Sequence, residues 1–488
     1  MNSTLQKAVY VILISFGLAV MFNYLFFGKF IGISVAVFTV TLLVAVFLFG
    51  LRNQVSMKKQ RWLMLLIAFF AFMPSVRANE FLTFLNVCAT FGLLMLLAHD
   101  LVGTPIALMK LRDYILLVIF VPFRMFGRVI STVVTLGQIH SSVKNRDVWI
   151  RALKGSVLAV PILIIFGALF SQADLAFSQF LKGFVNVNIT EFEVKYLTLL
   201  AFAFVATLSF LSYIFFPQPV QPGTSLKQEY ALKSNLQSGK GIEVLVFLGL
   251  IATLFLVFIG FQVTYLFGGE ANIIHAGFTY AEYARRGFWE LLVVAIMSLV
   301  ILLASEKYAK VESKRDIMFL IPSIVLIVEV IIVIAAAFKR LSLYIHTYGM
   351  TTLRFYVAAF IVLLLVLFII LAFKFIKCKQ EQFFFFGTLI SVITFLVVVN
   401  IINPDAYIMR SNIEQFNRTG KVDTTYIEEL SVDATSGKIE LYSKLEGDYK
   451  EDLLSSIIED KGRLLESSLN WQSANLSRYK ALNLLKDY

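Results

Sequence analysis

The sequence predicts an all-α fold, a polytopic bundle of about eleven transmembrane helices with a small helical extracytoplasmic C-terminal region. Of its 488 residues, 59% are hydrophobic and 15% are charged, and the mean hydropathy is +0.80. A soluble domain carries roughly 25% charged residues, so this chain lacks the polar surface to face water on all sides. Many apolar runs also reach the length of about 20 residues that spans a bilayer, and basic residues crowd into alternate loops.

The predicted spans follow the apolar runs in order. They lie at 8–27, 30–50, 62–76, 81–98, 155–171, 194–216, 242–266, 287–305, 316–338, 355–376 and 384–402. The first run has no small-residue cleavage pattern after it, so we expect a retained helix and not a removed signal peptide. The first two spans form a hairpin around Gly28 and Lys29.

The segment 113–136 is apolar but is interrupted by Pro122, Arg124 and Arg128. A charge near the bilayer centre costs about 2.5–3.5 kcal/mol. If this segment lies in the interface or re-enters, all the basic loops fall on one side, as the positive-inside rule requires. A full crossing would place four basic loops outside. We therefore expect a cytoplasmic N-terminus and an extracytoplasmic C-terminus.

This topology divides the chain into four parts. They are an N-terminal four-helix membrane segment (1–112), an interfacial or re-entrant segment with a basic cytoplasmic loop (113–154), a seven-helix membrane core (155–402) and a helical tail (403–488). The tail holds 15 Asp and Glu against 11 Lys and Arg, although the whole chain carries +11. Its apolar residues, such as Leu453, Ile457 and Leu482, recur at helical spacing. The positive charge therefore follows membrane topology, and we expect no nucleic-acid partner.

Three polar motifs follow or precede apolar runs and are predicted to open on the extracytoplasmic face. They are 280-YAEYARRGFWEL, 339-KRLSLYIHTYGMTTLR and 403-NPDAYIMRSNIEQF. Polar side chains that converge at membrane ends are candidates for a binding site. The candidate ligand-binding residues are Tyr280, Glu282, Arg285, Arg286, Arg340, Tyr344, Tyr348, Arg354 and Asp405.

In the first motif Glu282 stands three and four residues before Arg285 and Arg286. Such pairs touch on a helix. Two interpretations stay open: an Arg pair that binds a phosphate or carboxylate and is held by Glu282, or a salt-bridged beginning of the next span.

In the second motif Arg340, Tyr344 and Tyr348 share one helix face if the segment is helical. Gly349 is predicted to end that helix, and residues 351–354 to begin the next. The group is either a binding site or an aromatic and basic belt at the membrane interface.

The third motif, Asn403-Pro404-Asp405, is typical of a helix stop followed by a restart. We expect Asp405 to cap the helix that follows, the commonest role of Asp before a helical run.

Glu329 lies near the middle of the span 316–338. An acid at that depth is costly, so it should face other helices and bind a partner or carry a proton. It is either part of an ion or proton relay or a neutral interhelical hydrogen-bonding group.

Several chemical signatures are absent from the sequence. Gly239-Lys240-Gly241 has no upstream glycine at P-loop spacing, and neither a Gly-x-Ser-x-Gly nor a His-Glu-x-x-His motif occurs. Two cysteines rule out a disulfide framework, and the four histidines lack metal-ligand spacing. We therefore predict no cofactor and no metal site.

Four stretches carry a resemblance: TYAEYARRGFWEL, RLSLYIHTYGMTTLR, NPDAYIMRSNIEQFN and NWQSANLSRYKALNLL. They resemble a bacterial family of multipass membrane proteins catalogued as domain of unknown function 4173, with relatives under 4153. The resemblance covers the chain from about Ala173 to Leu485. It implies a bacterial cytoplasmic membrane protein, and it implies no reaction, ligand or cofactor. The positions that match its motifs are Tyr280, Glu282, Tyr283, Arg285, Arg286, Arg340, Tyr344, Tyr348, Gly349, Arg354, Asn403, Pro404, Asp405, Asn412, Trp471 and Asn475.

Three classes of function remain. The first is a non-enzymatic envelope regulatory or scaffold protein, whose partners are the lipid bilayer and another membrane or envelope protein that binds residues 403–488. The second is a transporter or channel for an anionic or lipid-linked solute. The third is an outer-leaflet enzyme in which Glu282 or Asp405 acts as a base. We rank them in that order, because no nucleophile–base pair and no broken helix pair is visible in the sequence.

Overall fold

The computed structural model describes residues 3–52, 57, 59–102, 105–109, 114, 125, 191–216, 240–267, 288–309, 317–377, 379–467, 470–486 and 488. Its regular elements are all helical, with no β-strand in these ranges. The predicted span 155–171 lies outside the described residues. So does the segment 113–136, apart from Tyr114 and Met125.

Ten helices in the described part of the chain coincide with ten of the predicted spans. They are α1 (Ser3–Phe26), α2 (Ile33–Arg52), α3 (Arg61–Phe72), α4 (Glu80–Leu101), α5 (Glu191–Phe215), α6 (Lys240–Phe267), α7 (Phe288–Ala309), α8 (Ile317–Tyr348), α9 (Thr352–Ile376) and α10 (Glu381–Ile402). Seven helices among the described residues are long and apolar enough to cross a membrane, namely α1, α2, α4, α5, α8, α9 and α10. The chain is therefore a multipass membrane protein. The number of about eleven spans stays a prediction.

In the ranges that the structure describes, the membrane helices pack around two apolar cores. The first joins α1, α2, α3, α4 and α5 with one face of α10. The second joins α6, α7, α8 and α9. Large apolar side chains on the outer faces of the helices are exposed, as a bilayer requires.

Five further α-helices follow among the described residues. They are α11 (Pro404–Thr419), α12 (Thr424–Glu428), α13 (Thr435–Tyr442), α14 (Asp448–Ser467) and α15 (Leu476–Leu484). Their apolar faces form a third core, which also includes Leu82, Met350, Phe355 and Val399 of the membrane helices and their turns. We call α11–α15 with their connecting turns the C-terminal unit. It is therefore packed against the ends of the membrane helices.

A buried ion pair holds the C-terminal unit together. Lys438 on α13 is fully buried, and its Nζ lies 2.9 Å from Oδ2 of Asp460 on α14. The same ammonium donates to the carbonyl oxygen of Glu428 at 3.1 Å. A buried ammonium needs such partners, because an unpaired charge away from water is costly.

The C-terminal unit contacts four turns of the membrane helices. The backbone N–H of Ile33 donates to the carbonyl oxygen of Ala474, and the amide of Asn475 donates to that of Pro74. The turn around residue 350 is bonded to Asn412 of α11 and Tyr426 of α12. The turn around residue 403 leads directly from α10 into α11. These four turns therefore lie at one end of the bundle. Which side of the membrane that end occupies stays a prediction.

Candidate functional site

Asp405 is the best-connected candidate residue. It is 1% exposed, and the side-chain amide of Asn79 donates to both of its carboxylate oxygens, at 2.9 Å and 2.8 Å. The backbone N–H of Ser431 donates to its Oδ2 at 3.1 Å. One carboxylate therefore joins the beginning of α4, the beginning of α11 and the turn before α13.

The expected capping role of Asp405 is not what the structure contains. Asn403 occupies the N-cap of α11 in the left-handed region, with φ of 58°, and Pro404 is the first helical residue. Proline has no N–H and fits this first position, so Asp405 is displaced into the first turn. There it is bonded to other segments of the chain, and the helix N-terminus adds a favourable field for its negative charge.

The turn between α3 and α4 is held by three polar side chains of the C-terminal unit. The Asn475 amide donates to the carbonyl oxygens of Pro74 and Arg77, both at 2.8 Å. The Ser477 hydroxyl donates to the carbonyl oxygen of Val76. Asp433 Oδ2 accepts from the backbone N–H groups of Ala78 and Asn79, at 2.9 Å and 3.1 Å. The backbone of this turn thus finds its side-chain partners 354 to 401 positions away in the chain.

Burial raises the pKa of Asp433 above its ordinary value, and the nearby Asp405 carboxylate adds to this rise. The two backbone N–H donors oppose it, because they favour the ionised form. Asp433 and Asp405 are therefore two acids whose charges are coupled through the same turn.

Below this turn two asparagines pair between α4 and α10. The Asn86 amide donates to Oδ1 of Asn400 at 2.9 Å, and the Asn400 amide donates back to Oδ1 of Asn86 at 2.8 Å. Arg77 donates to the carbonyl oxygens of Asn400 and Ile401 at the end of α10. Those carbonyls have no partner within the helix and need one from outside.

A second group surrounds the turn between α8 and α9. The Asn412 amide on α11 donates to the carbonyl oxygen of Met350 at 2.9 Å, and its Oδ1 accepts from the N–H of the same residue at 2.9 Å. The helix ends at Tyr348, and Gly349 follows with φ of 83°. Thr351 caps the next helix by accepting from the N–H of Arg354. The predicted end and restart around Gly349 are confirmed.

Arg354 binds backbone carbonyl groups at the end of α8. Its guanidinium donates to the carbonyl oxygens of Tyr348 and Gly349 and lies 4.2 Å from the ring centroid of Tyr344. The Tyr344 and Tyr348 rings pack edge to face, with their centroids 5.1 Å apart. Arg340, one turn before Tyr344, is 9% exposed. The structure thus brings Arg354 to the two tyrosines, and their role in ligand binding stays a prediction.

Tyr426 on α12 adds a contact to this second group. Its hydroxyl accepts from the backbone N–H of Thr352 and lies 2.8 Å from the Thr352 hydroxyl. Burial raises the pKa of this phenol, against the effect of the Thr352 hydrogen bonds. The residue is therefore a neutral hydrogen-bonding group at the beginning of α9.

The remaining candidates are the residues of the first motif and Glu329. Tyr280, Glu282, Arg285 and Arg286 lie outside the described residues, so the first motif is not placed relative to the other two. Glu329 is 5% exposed within α8, as expected for an acid that faces other helices. Its Oε2 has no hydrogen-bond partner in the part of the chain that the structure describes.

Sequence reasoning missed Asn79, Asn86, Asn400 and Asp433. The position of Asn79 immediately before the apolar helix that begins at Glu80 is an N-cap signal, and its Oδ1 does accept from the N–H of Leu82. No local signal identifies Asp433. Among the described residues no group of three His, Cys, Asp or Glu could hold a metal ion.

One comparison with known proteins identifies a family. The family model described as Domain of unknown function (DUF4153) matches residues 64–441, which is most of the chain. No curated protein and no solved structure matches. The matched model is the relative of the family expected from the motifs, and the relation to family 4173 stays a prediction. The chain belongs to the DUF4153 family.

Proposed function

We propose that this chain is a non-enzymatic regulatory or scaffold protein of a bacterial cytoplasmic membrane. It holds its C-terminal unit at the extracytoplasmic ends of its helices and presents that unit to a partner protein. The observation that carries the proposal is Asp405, whose buried carboxylate joins three separate segments. A carboxylate used in this way holds the structure in place and is not open to a substrate.

The other described polar groups of the two motifs support the same conclusion. Asn412 is occupied by both backbone groups of Met350, and Arg354 by the last carbonyls of α8. Residues that could have lined an open vestibule are instead bonded to the backbone. The Asn412 bonds fix the C-terminal unit to the turn between α8 and α9, which is what a scaffold requires, and the Arg354 bonds fix that turn itself.

The outer face of α14 is the surface that we assign to the partner. Leu454 is half-buried, and Ile458 and Leu465 are each 51% exposed. They stand at spacings of four and seven residues and so form one stripe on the helix. Exposed Glu451 lies beside this stripe, and half-buried Lys461 lies within it. An apolar stripe on an exposed helix face fits the apolar face of an amphipathic partner helix.

Photocrosslinking in intact cells tests this function. A photoreactive amino acid is placed at Ile458 or Leu465 on the stripe, and at exposed Asp452 on another face of α14 as the control. We expect one adduct of the same discrete mass from both stripe positions and none from Asp452. Lack of an adduct at the stripe, or an equal adduct at Asp452, would contradict the scaffold function.

Transport is the second candidate, and Glu329 favours it. A carboxyl that is 5% exposed, with an oxygen lacking a partner among the described residues, is costly in a membrane unless it is protonated or binds an ion. Proton flux in liposomes containing the purified chain tests this candidate. Flux that disappears in Glu329→Gln and persists in Ser298→Ala would favour transport over the scaffold function.

A further inference from the structure

The hairpin between α1 and α2 meets the C-terminal unit along a seam of backbone contacts. The N–H of Ile33 donates to the carbonyl oxygen of Ala474 at 3.0 Å. A Cβ atom at Gly32 would lie 2.6 Å from the carbonyl carbon of Ser473. The 3-10 turn Trp471–Ser473 is therefore held tightly at the end of this hairpin.

A lipid-facing stripe of α1 leads to this seam. Leu13, Phe16, Val20 and Tyr24 are all exposed and are spaced by three or four residues, so they line one side of a helix that is long and apolar enough to cross a membrane. Tyr24 lies in the last turn of α1, and its ring centroid is 6.4 Å from that of Trp471. The stripe therefore continues from the bilayer onto Trp471, which is 53% exposed.

The adjacent surface carries exposed aromatic and apolar side chains with basic groups between them. Phe30 and Ile31 in the hairpin are exposed, and so are Leu476 and Tyr479 on the outer face of α15. Amphipathic aromatic rings at the end of a membrane helix are typical of the interface between acyl chains and headgroups.

Three cations lie among these rings. Lys29 donates to the carbonyl oxygen of Tyr24 and lies 4.6 Å from the centroid of its ring. Arg478 donates to the carbonyl oxygens of Ile31 and Ser473 and lies 5.9 Å from the Phe30 ring centroid. Lys480 is exposed one residue after Tyr479. An ammonium has three donors, so Lys29 and Lys480 retain donors for a phosphate.

We propose that Trp471, Tyr24, Phe30 and Tyr479, with Lys29, Arg478 and Lys480, form a binding surface for the headgroups of anionic phospholipids. The rings lie at the level of the upper acyl chains, and the cations contact the phosphodiesters. The surface seats the C-terminal unit on the bilayer in addition to its contacts with the helix ends. This inference is independent of whether α14 binds a partner protein.

Tryptophan fluorescence in lipid nanodiscs tests the depth of Trp471. The other three tryptophans, Trp62, Trp149 and Trp289, are replaced by Phe in the full chain. We expect lipids brominated near the headgroup to quench Trp471 more than lipids brominated near the chain end, and aqueous iodide to quench it weakly. If the triple variant does not fold, the difference between wild type and Trp471→Phe gives the same readout.

Two outcomes would overturn the inference. Strong quenching by iodide without quenching by brominated lipid would place Trp471 in water. Quenching by neither would mean that protein covers it.

A second experiment tests the basic residues. It compares the double variant Lys29→Gln/Lys480→Gln with the control Lys421→Gln, an exposed lysine elsewhere on the C-terminal unit. Native mass spectrometry should show enrichment of phosphatidylglycerol over phosphatidylcholine, lowered several-fold by the double variant alone. Equal retention in both variants would remove the headgroup contact.

Discussion

The side-chain amide of Asn79 donates to both carboxylate oxygens of Asp405, across 326 positions of the sequence. Asn79 at the same time caps α4 through its Oδ1, which accepts from the N–H of Leu82 at 2.8 Å. One asparagine therefore begins a membrane helix and binds the C-terminal unit to it. The position of α4 and the position of α11 are consequently linked through a single side chain.

Replacement of Asp405 by Ala should destabilise the protein. It leaves the Asn79 amide and the Ser431 N–H buried without an acceptor, which costs about 1–3 kcal/mol for each such group. Thermal unfolding in detergent measures the loss. Asn79→Ala combined with Asp405→Ala should cost less than the sum of the single variants, because the two share one interaction. Glu414→Ala on the exposed face of α11 is the control, and an equal loss there would contradict the role of Asp405.

The paired amides of Asn86 and Asn400 should stabilise the contact between α4 and α10 modestly. Hydrogen bonds between membrane helices are worth about 0.6 kcal/mol on average and about 2 kcal/mol at most. Each single Ala variant should lose unfolding free energy in this range. The double variant should lose less than the sum of the two single variants. Ser391→Ala removes a hydroxyl that bonds only within α10 among the described residues and is the control. Strict additivity of the two asparagine variants would argue against the pair.

Gly349→Ala should unfold the protein at a lower temperature than Gly420→Ala. Both glycines have positive φ, 83° and 67°, so both variants bear the strain of about 1–2 kcal/mol for a left-handed residue. A Cβ at Gly349 would also lie 2.6 Å from Gln415 Oε1 and 2.7 Å from Asn412 Oδ1, whereas none of the described atoms lies within 4 Å at Gly420. The difference in melting temperature therefore reports the close packing of Gly349 against Gln415 and Asn412 of α11. Equal losses would mean that this packing contributes nothing.

Asp433 should make the stability of the protein fall as the pH rises. Its folded pKa is raised by burial, above the unfolded value of about 3.9. The folded state therefore binds the proton more tightly, and this stabilisation is present below the unfolded pKa. It is lost as the pH rises through the folded pKa.

The difference in unfolding free energy between wild type and Asp433→Asn isolates this effect from other acids. Asparagine keeps an acceptor for the N–H groups of Ala78 and Asn79 but does not titrate. In denaturation series from about pH 4 to about pH 7, the unfolding free energy of wild type should fall relative to that of the variant as the pH rises. A constant difference, or one that changes in favour of wild type, would contradict the raised pKa.

The helices and their junctions could be predicted from the sequence because their signals are local. Apolar runs locate the spans, and Gly349 and Pro404 mark breaks that the structure contains. The contacts of Asp405 and Asp433 could not be predicted, since their partners Asn79 and Ala78 lie more than 300 residues away. The rule that an Asp before a helix caps that helix is also local. It failed for Asp405 because Pro404 occupies the first helical position.

The proposed function requires the C-terminal unit to lie at the extracytoplasmic face. Thiol labelling of intact cells tests it most directly, in a chain with both native cysteines, Cys88 and Cys378, replaced by Ala. A single cysteine is placed at exposed Asp452 on the C-terminal unit, away from the stripe assigned to the partner, or at exposed Lys379 between α9 and α10 as the opposite-face control. We predict that a membrane-impermeant maleimide labels position 452 in intact cells and position 379 only after lysis. Labelling of position 452 only after lysis would contradict this location.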